Sequence, residues 1–378
     1  MVMRTFGWSF AVTAVSLVVA FFYGGPTALF LCLILGVLEV SLSFDNAVVN
    51  AKILERMSEF WQKIFLTVGI AIAVFGMRLV FPLLIVGITA DLNPVEAISL
   101  AMEKGDPHEP GTYGFLLNEA HPQIAAFGGM FLLMLFLDFI FEDRDITWLS
   151  WLERPLARIG KLDQLAVVVA GIALVLAAEL LAEDPNIVMV SGVLGMITYI
   201  AVNGLGSLFE GEGVEEADGT IIEDGAAEAG SGAKDRTGPT QLAKATGKAG
   251  FFLFLYLEVL DASFSFDGVI GAFAITSDPI IIALGLGFIG AMYVRSITVF
   301  LVRKGTLADY VFLEHGAHWA IGALAAILLV SIGYHVDEII TGLVGVAFIG
   351  AAFTSSIVRN RRLRAAGVEP EPVGVHAD

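Results

Sequence analysis

Apolar stretches long enough to cross a bilayer recur along the whole chain. Hydrophobic residues make up 57% of its 378 residues and charged residues only 16%, a composition too apolar for a soluble domain of this size. A transmembrane helix needs about 20 apolar residues. Ten stretches meet this need: 7–23, 27–50, 64–90, 122–141, 165–182, 186–208, 250–275, 279–302, 317–333 and 337–358. The sequence therefore predicts an all-α polytopic membrane protein with about ten transmembrane helices.

The placement of Lys and Arg supports this number of spans. If the N-terminus lies inside, 18 of the 21 basic residues fall in inner segments, Lys104 falls outside, and Arg78 and Arg295 lie within spans. An excess of basic residues in cytoplasmic loops is the rule for multi-pass proteins. We therefore expect a multi-pass protein of the plasma membrane with both termini in the cytoplasm. A cleaved signal peptide is the alternative interpretation of the first span, because a basic start and an apolar stretch precede small residues.

A short acidic motif occurs twice, each time inside an apolar span. Residues 39–48 read EVSLSFDNAV and residues 261–270 read DASFSFDGVI, with four of ten positions identical. Five spans separate the two copies, and because five is odd, the copies cross the membrane in opposite directions. The order acid, Asp, Arg, His recurs in both halves, the last two being Arg78 and His121, then Arg295 and His318. This pattern predicts two inverted repeats, whose interface holds the substrate site in many secondary transporters.

The repeats and the composition divide the chain into five segments. They are a first five-helix repeat (1–183), the first span of a second repeat (184–208), an acidic cytoplasmic linker (209–249), the rest of the second repeat (250–358) and a cytoplasmic tail (359–378). The linker is rich in Glu, Ala and Gly and lacks the apolar residues that a core requires, so we expect it to be disordered.

Carboxylates dominate the charges inside the predicted spans. The basic residues there are Arg78 and Arg295, and the acidic residues include Glu39, Asp45, Asp138, Glu179, Glu258, Asp261 and Asp267. A carboxylate in a bilayer is unfavourable unless it is paired, protonated or bound to a cation, so the negative excess favours a cationic substrate. Carboxylate, amide and hydroxyl oxygens suit hard ions such as Mn²⁺, Mg²⁺ or Ca²⁺. The single cysteine, Cys32, excludes a thiolate site.

We predict that the two motifs and one neighbouring acid bind the metal ion. The predicted ligands are Glu39, Asp45, Asn46, Glu258, Asp261 and Asp267, and the predicted counter-ion or coupling residues are Arg78, Arg295, Asp138, His121 and His318. Glu39 and Asp45 are six residues apart and cannot chelate one ion from a regular helix. We therefore expect helix breaks near Asn46 and Gly268.

Structural roles are the alternatives for the same residues. Asp45 and Asp267 could cap broken helices. Interhelical ion pairs with Arg78 or Arg295 are the alternative for Glu39, Glu258 and Asp261. The two histidines could make interfacial hydrogen bonds, and Asp138 is as compatible with a structural role as with a functional one. For Glu179, near a span end, the structural role is the better interpretation.

The two motifs resemble those of the TerC family of integral membrane proteins, named for tellurium resistance, in particular its branch with S-F-D-N and S-F-D-G. The resemblance covers about residues 27–358. It implies a fold of inverted helical repeats shared with the lysine- and cation-exporter superfamily and a role in metal-ion homeostasis, with Mn²⁺ export suggested for several members. This chain departs from a symmetric pattern at Gly268, which stands where the first copy has Asn46, and at the additional acid Glu258.

These observations together predict a divalent metal-ion transporter, in its most specific form a proton-coupled Mn²⁺ exporter. We expect no enzymatic activity and no organic cofactor, since the metal ion is the substrate. The expected partners are the lipid bilayer and the metal ion, not nucleic acid, and a homo-oligomer is left open. The alternative is a membrane assembly or scaffold factor for protein insertion or metalation. An intramembrane enzyme is disfavoured, because the sequence has neither a nucleophile elbow nor an H-E-x-x-H motif.

Overall fold

The computed structural model is α-helical, with no β-strand in the residues that it describes, which are 2–42, 44–72, 76, 80–103, 105, 108–144, 146–162, 164–219, 247–276, 278–303 and 310–366. Its longer helices are α1 (Val2–Leu42), α7 (His121–Phe141), α9 (Leu165–Leu181), α10 (Pro185–Gly219), α11 (Gly247–Ile275), α13 (Ala291–Arg303), α14 (Leu313–Ser331) and α15 (Glu338–Ala365). The shorter ones are α2 (Phe44–Glu55), α3 (Glu59–Ile64), α4 (Phe81–Thr89), α5 (Pro94–Met102), α6 (Tyr113–Glu119), α8 (Ser150–Ile159) and α12 (Pro279–Ile282). Two π-helical segments are π1 (Phe65–Gly69) and π2 (Ala283–Gly290).

Several of these helices are suited to a bilayer. Within the described residues, six are long and apolar enough to cross it: Thr5–Val37, His121–Phe141, Pro185–Gly204, Pro279–Val302, Leu313–Ser331 and Ile340–Ala365. Helix α9 is apolar but shorter, and α11 is long enough but carries three acidic residues. Helical segments also coincide with each predicted span, the third being divided among α3, π1 and α4. The prediction of an all-α polytopic membrane protein is confirmed.

The first two predicted spans form a helical hairpin within α1. Its backbone is non-helical at Gly24 and Gly25, and Gly25 has a φ of 70°, a left-handed value that glycine adopts without steric penalty. Phe6 and Val40 line the same cavity, although a straight helix would hold them about 51 Å apart. The chain therefore reverses direction at Gly24 and Gly25.

Contacts at the two ends of the bundle agree with the alternation of ten spans. At one end, hydrogen bonds join segments that the alternation places outside: Tyr23 Oη to Asp278 Oδ1 at 3.3 Å and Ser331 Oγ to His121 Nε2 at 3.4 Å. At the other end, ion pairs join segments that it places inside: Lys52 to Glu314 at 3.3 Å, Arg144 to Glu314 at 3.7 Å and His315 to Glu153 at 3.1 Å. Each of these five contacts therefore joins two segments that the ten-span arrangement places on the same side of the membrane.

Helix α7 is at the centre of the larger core. It packs against α9, α10, α11 and α14, and its residues Met130, Phe131 and Leu132 are completely buried. A helix that is apolar on all sides belongs in such an interior. The approach of α10 depends on a small residue, because a Cβ on Gly195 would lie 2.3 Å from the carbonyl oxygen of Phe127. A second core joins α1, π2, α5 and α6.

Two helix boundaries differ from the sequence predictions. Helix α10 continues to Gly219, inside the segment 209–249 assigned to the linker, where Glu and Ala favour helix; residues 220–246 lie outside the described structure. Helix α11 is continuous from Gly247 to Ile275, so the predicted break near Gly268 is wrong. One glycine within a helix costs only about 1 kcal/mol, which tertiary packing readily outweighs. In the first motif copy, residue 43, between the end of α1 and the start of α2, lies outside the described residues, and α2 is helical through Asn46.

Candidate metal-ion site

The two copies of the acidic motif are in direct contact. Asn46 on α2 donates a hydrogen bond from Nδ2 to Oδ1 of Asp261 on α11, and both side chains are buried. Helix α13 covers α2, and Thr298 on α13 donates to the carbonyl oxygen of Ala47 at 3.5 Å. Polar groups from three helices that are distant in sequence therefore meet inside an otherwise apolar bundle.

Glu258 is a buried carboxylate one helical turn before Asp261. The residue is 6% exposed, and neither Oε1 nor Oε2 has a hydrogen-bond partner in the described part of the structure. Because the two acids are at positions i and i+3, they share a face of α11. A carboxylate in this setting is stable only as the neutral acid or beside a bound cation.

A small cavity is lined by Asp261 and by Gly69, the glycine next to Glu258. Its volume is about 20 Å³, enough for one water molecule or one ion. Asn50, Asp261, Arg295 and Thr298 form its polar lining. Arg295 donates from Nε to the carbonyl oxygen of Leu66 at 3.1 Å, whereas Oδ1 of Asn50 has no hydrogen-bond partner among the described residues. Oxygen atoms of the kind that coordinate metal ions, and one guanidinium group, thus surround a space that fits a single ion.

Two of the buried glutamates pack against the last glycine of a π-helix. A Cβ on Gly69, at the end of π1, would lie 2.4 Å from Oε1 of Glu258. A Cβ on Gly290, at the end of π2, would lie 2.0 Å from Cγ of Glu39. Both segments belong to the third span of their predicted repeat. π-Helical segments are rare and often occur at functional sites, and here glycine leaves the room that each acid occupies.

A larger polar cavity of about 250 Å³ lies next to the small one along α2, since Val49 lines the larger cavity and Asn50 the smaller. Asp138 lines it and accepts a hydrogen bond from Tyr199 Oη at 2.7 Å. His318 also lines it and stacks on Phe139 with ring centroids 3.6 Å apart. The cavity holds side chains of both signs, the charged ones being Lys52, Arg56, Asp138, Glu142, Arg144 and Glu314.

The other predicted site residues are distributed differently. His121 is at the start of α7, about 26 Å along the helix from Asp138, so it is at the far end of the bundle from the larger cavity. His318 was expected to begin its span but lies inside α14, which begins at Leu313. Glu179 is exposed near the end of α9, as its structural interpretation requires. The side chains of Asp45 and Asp267, and all of Arg78, are outside the described residues.

The described side chains supply oxygen ligands of mixed type. Among them no three His, Cys, Asp or Glu residues come together as a metal-binding cluster. The candidate site instead combines the carboxylates of Glu258 and Asp261 with the amide of Asn50 and the hydroxyl of Thr298, and hard divalent ions accept such mixed oxygen donors. Asn50 was not among the ligands predicted from the sequence, although its spacing of four residues from Asn46 places both amides on one face of α2.

Fold and site together define an all-α, multi-pass membrane protein with a polar, oxygen-lined centre between two motif helices. Residues 44–363 match the family described as "Protein of unknown function (DUF475)", and the chain belongs to this family. The match includes Asn46, Glu258 and Asp261 but begins after Glu39. No curated protein and no solved structure matches the chain.

Proposed function

We propose that this protein carries divalent metal ions across a membrane and binds them through Glu258 and Asp261. The observation that carries the proposal is the unusual environment of the Glu258 carboxyl group. It is buried one turn from a second carboxylate, its oxygens have no hydrogen-bond partner in the described structure, and it packs on Gly69, which lines a cavity of single-ion size. A bound cation would reduce the repulsion between the two acids and occupy the unused oxygen ligands.

The ligand chemistry narrows the choice of ion. Carboxylate, amide and hydroxyl oxygens suit Mn²⁺, Mg²⁺ and Ca²⁺ better than soft metals. Because a coordinating carboxylate must be deprotonated, ion binding releases any proton that Glu258 carries, which supplies a route to proton coupling. Arg295 lines the same cavity and competes with the ion for the same negative charge, so it would hold the site together when the ion has left.

The larger cavity supplies a polar route toward one end of the bundle, with Asp138 on its wall. Mn²⁺ as the ion, export as the direction, kinship with the TerC family and a plasma-membrane location with cytoplasmic termini are the more specific parts of the proposal. Their support is the pair of motifs and the distribution of basic residues along the chain.

Calorimetry on the purified full-length protein tests the binding step. Titration with Mn²⁺ should show binding with proton release, detected as heats that vary with the ionisation enthalpy of the buffer, and affinity should weaken as pH falls. Glu258→Gln and Asp261→Asn should each weaken binding by more than the 10- to 100-fold typical of outer-shell groups. Glu179→Gln, at an exposed carboxylate on α9, is the matched control and should leave binding unchanged.

Reconstituted vesicles that contain a Mn²⁺-sensitive dye test transport. The wild type and Glu179→Gln should admit Mn²⁺, and Glu258→Gln should not. If Mn²⁺, Mg²⁺ and Ca²⁺ all fail to bind at millimolar concentration and the vesicles show no uptake, the transporter proposal is wrong and the assembly-factor alternative replaces it.

A further inference from the structure

Helix α8 is a short amphipathic helix attached at the end of α7. Glu153 and Ala157 face inward and are buried. A Cβ on Gly160, the residue after α8, would lie 2.3 Å from the carbonyl oxygen of Phe141, the last residue of α7. Because α7 is an apolar spanning helix, this contact holds the end of α8 at the level where the apolar span stops.

Glu153 fixes the orientation of α8. Its carboxylate accepts hydrogen bonds from the backbone N–H groups of Trp148 at 2.9 Å and Leu149 at 3.2 Å, and from Nε1 of Trp319 at 3.1 Å. Nδ1 of His315 lies 3.1 Å from Oε2. Burial raises the pKa of Glu153, but the contacts with His315 and Trp319 outweigh it, so the pKa falls to about 2. This ionised anchor attaches α8 to α14.

The opposite side of α8 presents large apolar residues. Trp151 is 74% exposed, and Ile159 and Leu162 are 50% and 62% exposed. Trp151, Pro155 and Ile159 recur at intervals of four, so they lie on one side of the helix, and Leu162 follows three residues after the helix ends. Trp is enriched where a span meets the headgroup region, because its ring is apolar and its N–H is polar. At this level of the protein the apolar side of α8 is suited to acyl chains.

Basic residues flank the apolar side. Arg154 and Arg158 are exposed one turn apart, and neither has an ion-pair partner in the part of the chain that is described. The nearby Lys161 contacts Asp143 at 3.6 Å across the surface. The acid of α8 itself, Glu153, faces inward. In a chain with a net charge of −18, Arg154 and Arg158 place two basic side chains next to exposed apolar residues, a combination found in helices that lie on anionic membranes, although Glu142 and Asp143 line a cleft with Arg154.

We propose that α8 lies in the membrane–water interface and binds the headgroups of anionic phospholipids through Arg154 and Arg158. Trp151, Ile159 and Leu162 insert among the adjoining acyl chains. The contact is independent of the transport proposal, since it requires neither Glu258 nor the cavities. A basic residue near an anionic surface contributes about 1 kcal/mol, so the two arginines together should give a preference of about 30-fold for an anionic over a zwitterionic lipid.

Fluorescence quenching in vesicles tests this contact. The full-length protein is reconstituted with brominated phosphatidylglycerol or, at equal mole fraction, brominated phosphatidylcholine, and the Trp151 contribution is the difference between wild type and Trp151→Phe. Phosphatidylglycerol should quench Trp151 preferentially, and high salt should reduce the preference through screening. The double variant Arg154→Gln/Arg158→Gln should bring the ratio to about one. The control Arg361→Gln/Arg362→Gln, at an exposed basic pair on α15, should retain it.

Three results would overturn the proposal. Equal quenching by the two lipids in the wild type would show an apolar contact without a headgroup site. Absence of Trp151-dependent quenching by either lipid would show that another surface, such as a second copy of the chain, covers α8. Loss of the preference in the α15 control would show a general charge effect. The salt dependence is measured on the wild type, so the test stands even if a variant fails to fold.

Discussion

Two buried glutamates show how the same side chain takes opposite roles in one protein. Glu153 is 4% exposed and is surrounded by N–H donors. Glu258 is 6% exposed and has no hydrogen-bond partner among the described residues. A carboxylate whose charge is satisfied stabilises the fold, whereas one whose charge is unsatisfied is available to a ligand. The donors around each residue, rather than burial, separate the structural acid from the candidate binding acid.

The role of Glu153 makes a prediction about acid stability. Its pKa is about 2 in the folded protein against 4.5 for an unperturbed glutamate, so the ionised group stabilises the fold above about pH 4.5 and loses this effect as pH falls toward 2. Glu153→Gln should therefore lower the free energy of unfolding at neutral pH, by up to about 3 kcal/mol, and the difference from wild type should shrink in acid. Thermal unfolding in detergent across this pH range measures it. A pH-independent difference, or the same effect in Glu179→Gln, would contradict the assignment.

At the scale of helices, glycines set how closely the third span of each predicted repeat approaches the opposite motif helix. The last residues of π1 and π2 are both glycine and both contact a glutamate. The contact at Gly69 involves the flexible end of Glu258, which can move. The contact at Gly290 involves Cγ and Cβ of Glu39, close to the backbone of α1, where little movement is available.

Gly290→Ala should therefore destabilise the protein, by about 1–3 kcal/mol, as overpacking of a well-packed interior does. Gly171→Ala is the matched control, since Gly171 is also within a helix and a Cβ there would have nothing within 4 Å. It should be neutral or slightly stabilising. Thermal unfolding of both variants gives the comparison, and equal stability of the two would show that π2 can shift away from α1.

The helices could be predicted largely from the sequence, because hydropathy and length are local properties. The contact between Asn46 and Asp261 joins the two copies of the motif, which the sequence predicted to form one site. Glu153 could not be identified, since its burial depends on His315 and Trp319, which lie on a helix far along the chain. The continuity of α11 through Gly268 likewise depends on packing that glycine propensity does not report. Hydropathy along the sequence therefore predicts the helices, whereas the location of a binding or anchoring site depends on contacts between helices that are distant in sequence.

In the described residues, polar contacts between distant segments lie at both ends of the molecule. The ion pairs of Lys52, Arg144 and His315 are at one end, and the hydrogen bonds of Tyr23 and Ser331 are at the other. Hydrogen bonds, one of them to the carboxyl group of Asp278, join segments predicted to be outside, and ion pairs join segments predicted to be inside. The contacts and the basic residues therefore give the same division of the chain into two sides.

This division predicts the outcome of cysteine labelling. In a Cys32→Ser background, a membrane-impermeant maleimide should label Glu109→Cys in intact cells. It should label Lys161→Cys and Arg362→Cys only after permeabilisation, because an odd number of predicted spans separates each from Glu109. All three positions are exposed, so a lack of labelling would not reflect burial. Labelling of Glu109→Cys and Lys161→Cys from the same side would contradict the ten-span arrangement.

The hairpin of α1 also has a consequence for how the protein is made. The turn at Gly24 and Gly25 has no polar loop, so nothing in the turn can hold the first arm across the bilayer while the second is still in the ribosomal exit tunnel. The two arms should therefore enter the membrane together, as one unit. Glu39 on the second arm would then enter the membrane before π2, its later partner, has been synthesised.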